Sequence, residues 1–348
     1  MGLKKRLTGW ISLLFLLAVL AGCGGPGTPS GEVARAQAGG VPGTPSAGQN
    51  AGYTVTDAKN RQVKIPHKPE RIVTLGLYTD EMVLGMVPTS KMAAVSHYLD
   101  DPKESVIVEK AKKIPNKVTD PTAEQILRWQ PDLVIANGWT SDDKIQTLTD
   151  MGIPVVVCGP ANSYEEIQET LRLVAESIGE GEKGEKIRQK MDAIRDEIMA
   201  KVAKIPEKER KSVVLLSLMT SYGGVGSSFD DMCHYAGVIN ATAAVGLQNG
   251  QKLTKELLVK SDPDFLLLPV FDDRGNFDTQ KFIDGYLKDP SLQTMKAIRH
   301  RALVYPRESY IYNASQDFVF GIQELAYCAY GDAFKQEDNR HISFSGEE

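Results

Sequence analysis

The side chains best suited to chemistry in this chain are aromatic, and most fall where short apolar runs end. In the first half these places are Leu77-Tyr78, Ser96-His97-Tyr98, Asn116-Lys117 and Asn137-Gly138-Trp139. In the second half they are Met219-Thr220-Ser221-Tyr222-Gly223-Gly224, Phe271-Asp272-Asp273-Arg274 and Arg307-Glu308-Ser309-Tyr310-Ile311-Tyr312. Phe, Trp and Tyr make up only 7% of the chain, so their gathering here predicts a surface on which a large planar or ring-shaped molecule stacks. The candidate contact residues are Tyr78, His97, Tyr98, Asn116 and Trp139 from the first half, with Tyr222, Phe271, Arg307 and Tyr310 from the second. Arg307 is the strongest cation of the set, able to grip a carboxylate through two parallel N–H donors, and Lys117 is second. For any single aromatic, packing within the fold is the competing role.

The same residue types argue against other chemistry. His67, His97, His234, His300 and His341 are far apart, and only His97 falls in one of these loops, so a directly bound divalent metal is not expected. Gly223-Gly224-Val225-Gly226 and Ser227-Ser228 form neither a G-x-S-x-G elbow nor a phosphate loop with its Lys-Ser/Thr. They predict a backbone turn close to a ligand or to the next helix, capped by Ser227 or Ser228. Nothing names a reaction, so neither an enzyme nor a resident cofactor is expected. Cys23, Cys158, Cys233 and Cys328 make no closely spaced pair, so neither a disulfide framework nor a zinc-cysteine site is indicated.

The elements that must position these loops alternate strand with helix. A hairpin is expected from Tyr53 to Ile65, then strands at 71–75, 92–95, 133–136 and 155–157. Helices lie between them: 122–128, with Asp120 or Thr122 as cap, and one opening at Ser163 with Glu166 at capping-box spacing. A second unit repeats the pattern, with strands at 212–218, 265–269 and 303–305 and helices near 229–236, 254–259, 292–298 and 315–330. Strand, helix, strand at this spacing predicts two parallel, doubly wound α/β units, at 53–180 and 206–335. Between them Ile187, Met191, Ile194, Ile198 and Val202 mark one face of a helix from about Gly184 to Lys204, within a linking segment 181–205. That face suits a surface helix packed on a core and equally a rigid connector. Residues 336–348 read as a polar tail. Ligands of doubly wound sheets sit beyond the carboxyl ends of the strands, where the aromatic loops lie.

At the N-terminus Lys4, Lys5 and Arg6 precede an apolar run from Trp10 to Ala21, the layout of a signal peptide over residues 1–22. The run is shorter than the roughly 20 residues that span a bilayer. Leu20-Ala21-Gly22-Cys23 resembles the bacterial lipobox, which implies cleavage before Cys23 and a diacylglycerol on its thiol. Residues 24–52 are mostly Gly, Pro, Ser, Thr, Ala and Gln with little to bury, and with Cys23 they form an expected disordered tether. Loss of three positive charges with the signal takes the net charge from −5 to −8, and a mildly acidic, tethered protein is not expected to bind nucleic acid.

Five segments in order carry a family resemblance: Pro69-Glu70-Arg71-Ile72-Val73, Trp129-Gln130-Pro131-Asp132-Leu133-Val134-Ile135, Gly152-Ile153-Pro154-Val155-Val156, Asp262-Pro263-Asp264-Phe265-Leu266-Leu267-Leu268, and Lys296-Ala297-Ile298 through Val304-Tyr305. Together they resemble the iron-siderophore, haem and cobalamin substrate-binding proteins of bacterial ABC importers. The resemblance covers roughly Tyr53 to Phe334. It implies two lobes joined by one long rigid helix, a ligand in the cleft between them, small lobe movements, and an extracytoplasmic monomer that serves a permease and its ATPase. It makes the ligand a ferric siderophore, haem or a corrinoid, and offers His97, Tyr78, Tyr98 or Tyr222 as an axial ligand to the metal of a haem or corrinoid. It also implies permease docking through one acidic residue on each lobe. Glu124 stands at the matching place in the first lobe. In the second lobe His234 occupies the acidic position, which shifts the role to Asp230 or Asp231. The competing class is a lipid-anchored metallochaperone or enzyme on the same fold.

Overall fold

The computed structural model describes residues 52–272 and 275–347. The signal peptide, Cys23 with its expected lipid, the tether through residue 51, and the loop residues Asp273 and Arg274 lie outside the described residues. Strands β1 (Tyr53–Thr56) and β2 (Gln62–Ile65) form the expected antiparallel hairpin, with Asn60 in the left-handed region at φ 59° in its turn.

The first lobe is built on β3 (Ile72–Thr74), β4 (Met92–Ser96), β5 (Lys117–Val118), β6 (Leu133–Ala136) and β7 (Val155–Val157), all parallel, in the order β5-β4-β3-β6-β7. Helices cover both faces of such a sheet, so its inner strands are continuous apolar runs: every residue of β3, β4, β6 and β7 is buried. The second lobe uses β8 (Ser212–Leu215), β9 (Ile239–Asn240), β10 (Phe265–Leu267) and β11 (Leu303–Val304), again parallel, in the order β11-β10-β8-β9. Strand order reverses between β3 and β6 in one lobe and between β8 and β10 in the other. Loops diverge at those points and leave a crevice.

The helix Gly181–Val202 links the lobes and, at 22 residues, is roughly 33 Å long. Ile187, Met191, Ile194, Ile198 and Val202 are all buried. They join one apolar core that takes in the hairpin, the first-lobe helices Leu77–Leu84 and Tyr164–Ser177, and the second-lobe helices Ser228–Ala236 and Phe318–Tyr330. Two smaller cores cover the outer face of each sheet. The helix is therefore both a connector and a core element. Ser163 caps the helix before it, its hydroxyl accepting from Glu166 N at 3.2 Å.

Three expectations need correction. Within the segment 336–348, the described residues 336–347 are not a loose polar tail: they run from the second lobe back onto the first. Ile342 is 5% exposed, its N–H donates to Asp317 Oδ1 at 2.9 Å, and Phe344 N donates to Gly85 O at 2.7 Å. Lys110 Nζ donates to Ser345 Oγ at 2.6 Å, and Glu347 accepts from Thr89 N at 2.8 Å. The helix expected at 292–298 is broken into a 3₁₀ turn, Pro290–Leu292, and a short helix, Lys296–Arg299. Leu77-Tyr78, read as loop, opens the helix Leu77–Leu84, whose sequence LYTDEMVL has no polar face because every residue from Tyr78 onward is buried. If the C-terminal segment straps the lobes together, Ile342→Ala should cost about 2 kcal/mol or more in urea unfolding. A loss indistinguishable from that of an exposed substitution would contradict the strap.

Candidate functional site

The crevice between the lobes is a cavity of about 750 Å³. The segments after β3 and β6, at the first lobe's reversal point, supply Leu75, Gly76 and the helix start Leu77-Tyr78 on one side and Asn137, Trp139, Thr140 and Ser141 on the other. Asn137 Nδ2 donates to Leu75 O at 2.7 Å, and Thr140 Oγ1 donates to Asn137 Oδ1 at 2.9 Å, so the two loops are pinned to each other. A Cβ on Gly76 would lie 3.1 Å from Asn137 Nδ2, which keeps that position small. Trp139 is 74% exposed, with its ring centroid 6.0 Å from that of Tyr78. Burial pushes the Tyr78 phenol well above its ordinary value, and its buried Oη has no hydrogen-bond partner among the described residues. Tyr98, 38% exposed, and Met219, 54% exposed, stand on opposite lobes, and Tyr312, Asn313 and Ala314 complete the second-lobe wall.

Two carboxyls from the first lobe, Glu81 and Glu104, line the cavity. Glu81, one turn beyond Tyr78 on the same helix, is 1% exposed and spans the lobes. It accepts from Ser105 Oγ at 3.1 Å in its own lobe, and from Asn313 Nδ2 and Ser315 Oγ, both at 2.8 Å, in the other. Burial raises its pKa, the charge of Asp317 adds to the rise, and His341 opposes it. Its neighbour Asp80 accepts from Thr74 Oγ1 and Ser96 N, tying β3 to β4, and burial drives its pKa well up. Glu104 also lines the cavity; its carboxyl is pushed up to about 7 by burial and then by the negative charges of Glu308 and Asp101. Lys103 reaches across the lobes to Asp272 at 2.6 Å.

Of the residues expected to contact a ligand, Tyr78, Tyr98 and Trp139 line the cavity. The other six are not among its lining residues. Arg307 is committed to Glu324 at 2.5 Å and Asp338 at 2.6 Å, because a guanidinium behind the wall needs local carboxylates. Tyr310 is fully buried in the core, its hydroxyl accepting from Arg340 N at 2.6 Å. Asn116 Nδ2 donates to Ala93 O at 2.8 Å and joins β4 to the segment before β5. His97 Nδ1 lies 2.7 Å from Thr119 Oγ1, with the ring 4.0 Å from that of Tyr98, so it supports the wall from behind. Tyr222 packs behind Tyr312, centroids 5.5 Å apart, with its hydroxyl 2.8 Å from Ser228 Oγ. Phe271 takes part through its N–H, which donates to Glu308 Oε2 at 2.5 Å. The second cation, Lys117, is paired with Asp100.

Glu81 was missed because the helix Leu77–Leu84 has no polar stripe to set it apart, and Glu104 because it stands in a charged turn, Asp101 to Ser105, whose place beside the cleft is set by tertiary contacts. Among the expected docking residues, Glu124 is exposed on the helix Ala123–Arg128. Asp230 and Asp231 are half-buried and hydrogen-bonded within the protein. Asp230 accepts from Asn240 Nδ2 at 2.9 Å and Gly226 N at 3.2 Å, while Asp231 accepts from Tyr164 N at 2.7 Å and joins the lobes. Among the described residues no group of three or more His, Cys, Asp or Glu side chains is placed to hold a metal ion. None of the described helices is long and apolar enough to cross a membrane.

Two parallel sheets facing each other across an aromatic cleft, with one long helix between them, define a two-lobed binding protein. Residues 72–310 match the family described as periplasmic binding protein, and the chain belongs to that family. It is 26% identical, over 96% of this chain and 100% of the relative, to YvrC of Bacillus subtilis (strain 168), an uncharacterised ABC transporter substrate-binding lipoprotein. Among solved structures, the apo periplasmic heme-binding protein RhuT from Roseiflexus sp. RS-1 has a TM-score of 0.63 at 24% identity, covering 76% of this chain and 99% of that one. The molybdate periplasmic binding protein MolA of a Haemophilus influenzae ABC transporter, bound to molybdate, has a TM-score of 0.65 at 18% identity, covering 80% and 91%. These likenesses establish the two-lobed fold.

A carboxyl whose pKa rises on folding stabilises the folded state below its unfolded value and loses that contribution as pH rises through its folded value. For Glu104 the window runs from 4.5 to about 7. Relative to the unaltered protein, Glu104→Gln should therefore gain stability between pH 5 and pH 8, on the order of 1–2 kcal/mol after solvent screening. Urea unfolding at the two pH values measures it, and an unchanged difference would contradict the assignment.

Proposed function

We propose that the chain is the extracytoplasmic receptor of an ABC importer. Held at the outer face of the membrane by a lipid on Cys23, it captures a metal chelate and delivers it unchanged to a permease and its ATPase. The chelate is an iron-siderophore complex, haem or a corrinoid. The protein acts as a monomer, without catalysis and without a resident cofactor.

The observation that carries this reading is the interlobe cavity of about 750 Å³ with Tyr78, Tyr98, Trp139 and Tyr312 in its walls. That volume falls within the roughly 300–1,000 Å³ typical of clefts that bury small organic molecules, and is far more than a four-oxygen oxyanion needs. Flat aromatic walls suit a ring-shaped or planar chelate. Family membership and the heme-binding relative of like fold support the same class. The lipobox and the lipoprotein relative support the anchor, which raises the receptor's effective concentration beside its permease. Exposure of Glu124 supports its docking role in the first lobe.

A panel of ferric siderophores, haem and cobalamin, followed by thermal unfolding at saturating ligand, should give a rise in Tm with one chelate class. Trp139→Ala should weaken that binding about tenfold or more by calorimetry. No response to any member of the panel would refute the reading. Glu124→Lys should impair uptake by cells while leaving affinity for the chelate intact; lost affinity would refute the docking role.

A further inference from the structure

Among the described residues the charges around the cleft do not balance, and the imbalance bears on what the cleft accepts. Four cations at or behind the cleft, Lys103, Lys117, Lys144 and Arg307, are already matched inside the protein. Lys144, the lysine lining the cavity, pairs with Asp120 at 2.5 Å. Lys103 pairs with Asp272, Lys117 with Asp100, and Arg307 with Glu324 and Asp338. The acidic side is not matched in the same way. Glu81 is held by neutral donors only, from Ser105, Asn313 and Ser315. Glu104 has neither a side-chain hydrogen bond nor an ion pair among the described residues, although it lines the cavity. Glu308, from the opposite lobe, adds a third carboxyl behind it, fixed by Val270 N at 2.8 Å and Phe271 N at 2.5 Å.

We infer that the cleft selects its chelate by charge: it accepts one that is neutral or presents ammonium or amide N–H donors, and disfavours polyanionic ones, with Glu104 as the specificity-determining side chain. The physical cause is that a carboxylate with no internal partner repels a negative ligand in a poorly screened cleft, whereas an N–H donor satisfies it. Discrimination of this kind works by penalising the wrong ligand as well as by holding the right one.

This inference rests on the receptor reading above, and the test separates the two. Two series vary charge on a constant chelate core. The first is the ferric complex of desferrioxamine B, with its free ammonium, beside the N-acetyl and N-succinyl forms of the same complex. The second is cyanocobalamin beside its monocarboxylic acid derivative. Haem, with two carboxylates, is measured alongside both. Calorimetry at pH 8 on the full chain should show affinity falling with each added negative charge in whichever series binds, by about tenfold across the series. Glu104→Gln should compress that ratio to about threefold or less while still binding the neutral member. Equal affinities within a series, preference for the anionic member or for haem, or an unchanged ratio in Glu104→Gln would overturn the inference and leave the receptor reading standing. Failure of every compound to bind would overturn both.

Discussion

The constraint on which the rest of this structure depends is the burial of the Glu81 carboxylate between the lobes. A carboxyl almost wholly removed from water is tolerated only where donors meet it, and here they come from both sides, Ser105 from one lobe and Asn313 and Ser315 from the other. Gln316 adds a bond at 2.8 Å to the Glu81 carbonyl, and Asp317 anchors the returning C-terminal segment through Ile342 N at 2.9 Å and His341 Nδ1 at 2.7 Å. Separation of the lobes would strand these groups. Because Glu81 and Tyr78 share one short helix, the contact that fixes lobe spacing also fixes the aromatic wall of the cleft.

The long helix Gly181–Val202 and the Asp231–Tyr164 bond act in the same sense from the far side of the molecule. With apolar contacts running unbroken from the first lobe through this helix to Phe318 and Phe320, the lobes share a core and not merely a hinge. A receptor of this build meets its ligand with the cleft largely formed, so little ordering cost falls on binding. The site's own charges then become decisive, since a rigid cleft cannot move Glu104 away from an unwelcome carboxylate.

Much of the fold was legible because its determinants are local. Buried parallel strands such as Leu133–Ala136 are uninterrupted apolar runs, the Ile187 to Val202 face repeats at helical spacing, and Ser163 stands at a capping position. The site was less legible because its determinants are not local. Arg307 has the chemistry of an anion clamp, but Glu324 and Asp338, well along the chain, had already claimed it. Tyr310 and Tyr312 lie two residues apart, yet one is core and the other faces the cleft, a choice made by the bend of a single helical turn. The helix Leu77–Leu84 lacks any polar stripe, so periodicity was silent about the element that matters most.

The central claim is that the Glu81 tie holds the lobes at one spacing and leaves the cleft preformed. Spin labels on two exposed positions, Met151→Cys on the first lobe and Ile239→Cys on the second, in a Cys328→Ser background, read that spacing directly by pulsed electron resonance. The account predicts a single narrow distance distribution, unchanged by a bound chelate and broadened by Glu81→Ala. Two populations in the unaltered protein, or a large shift on binding, would contradict it.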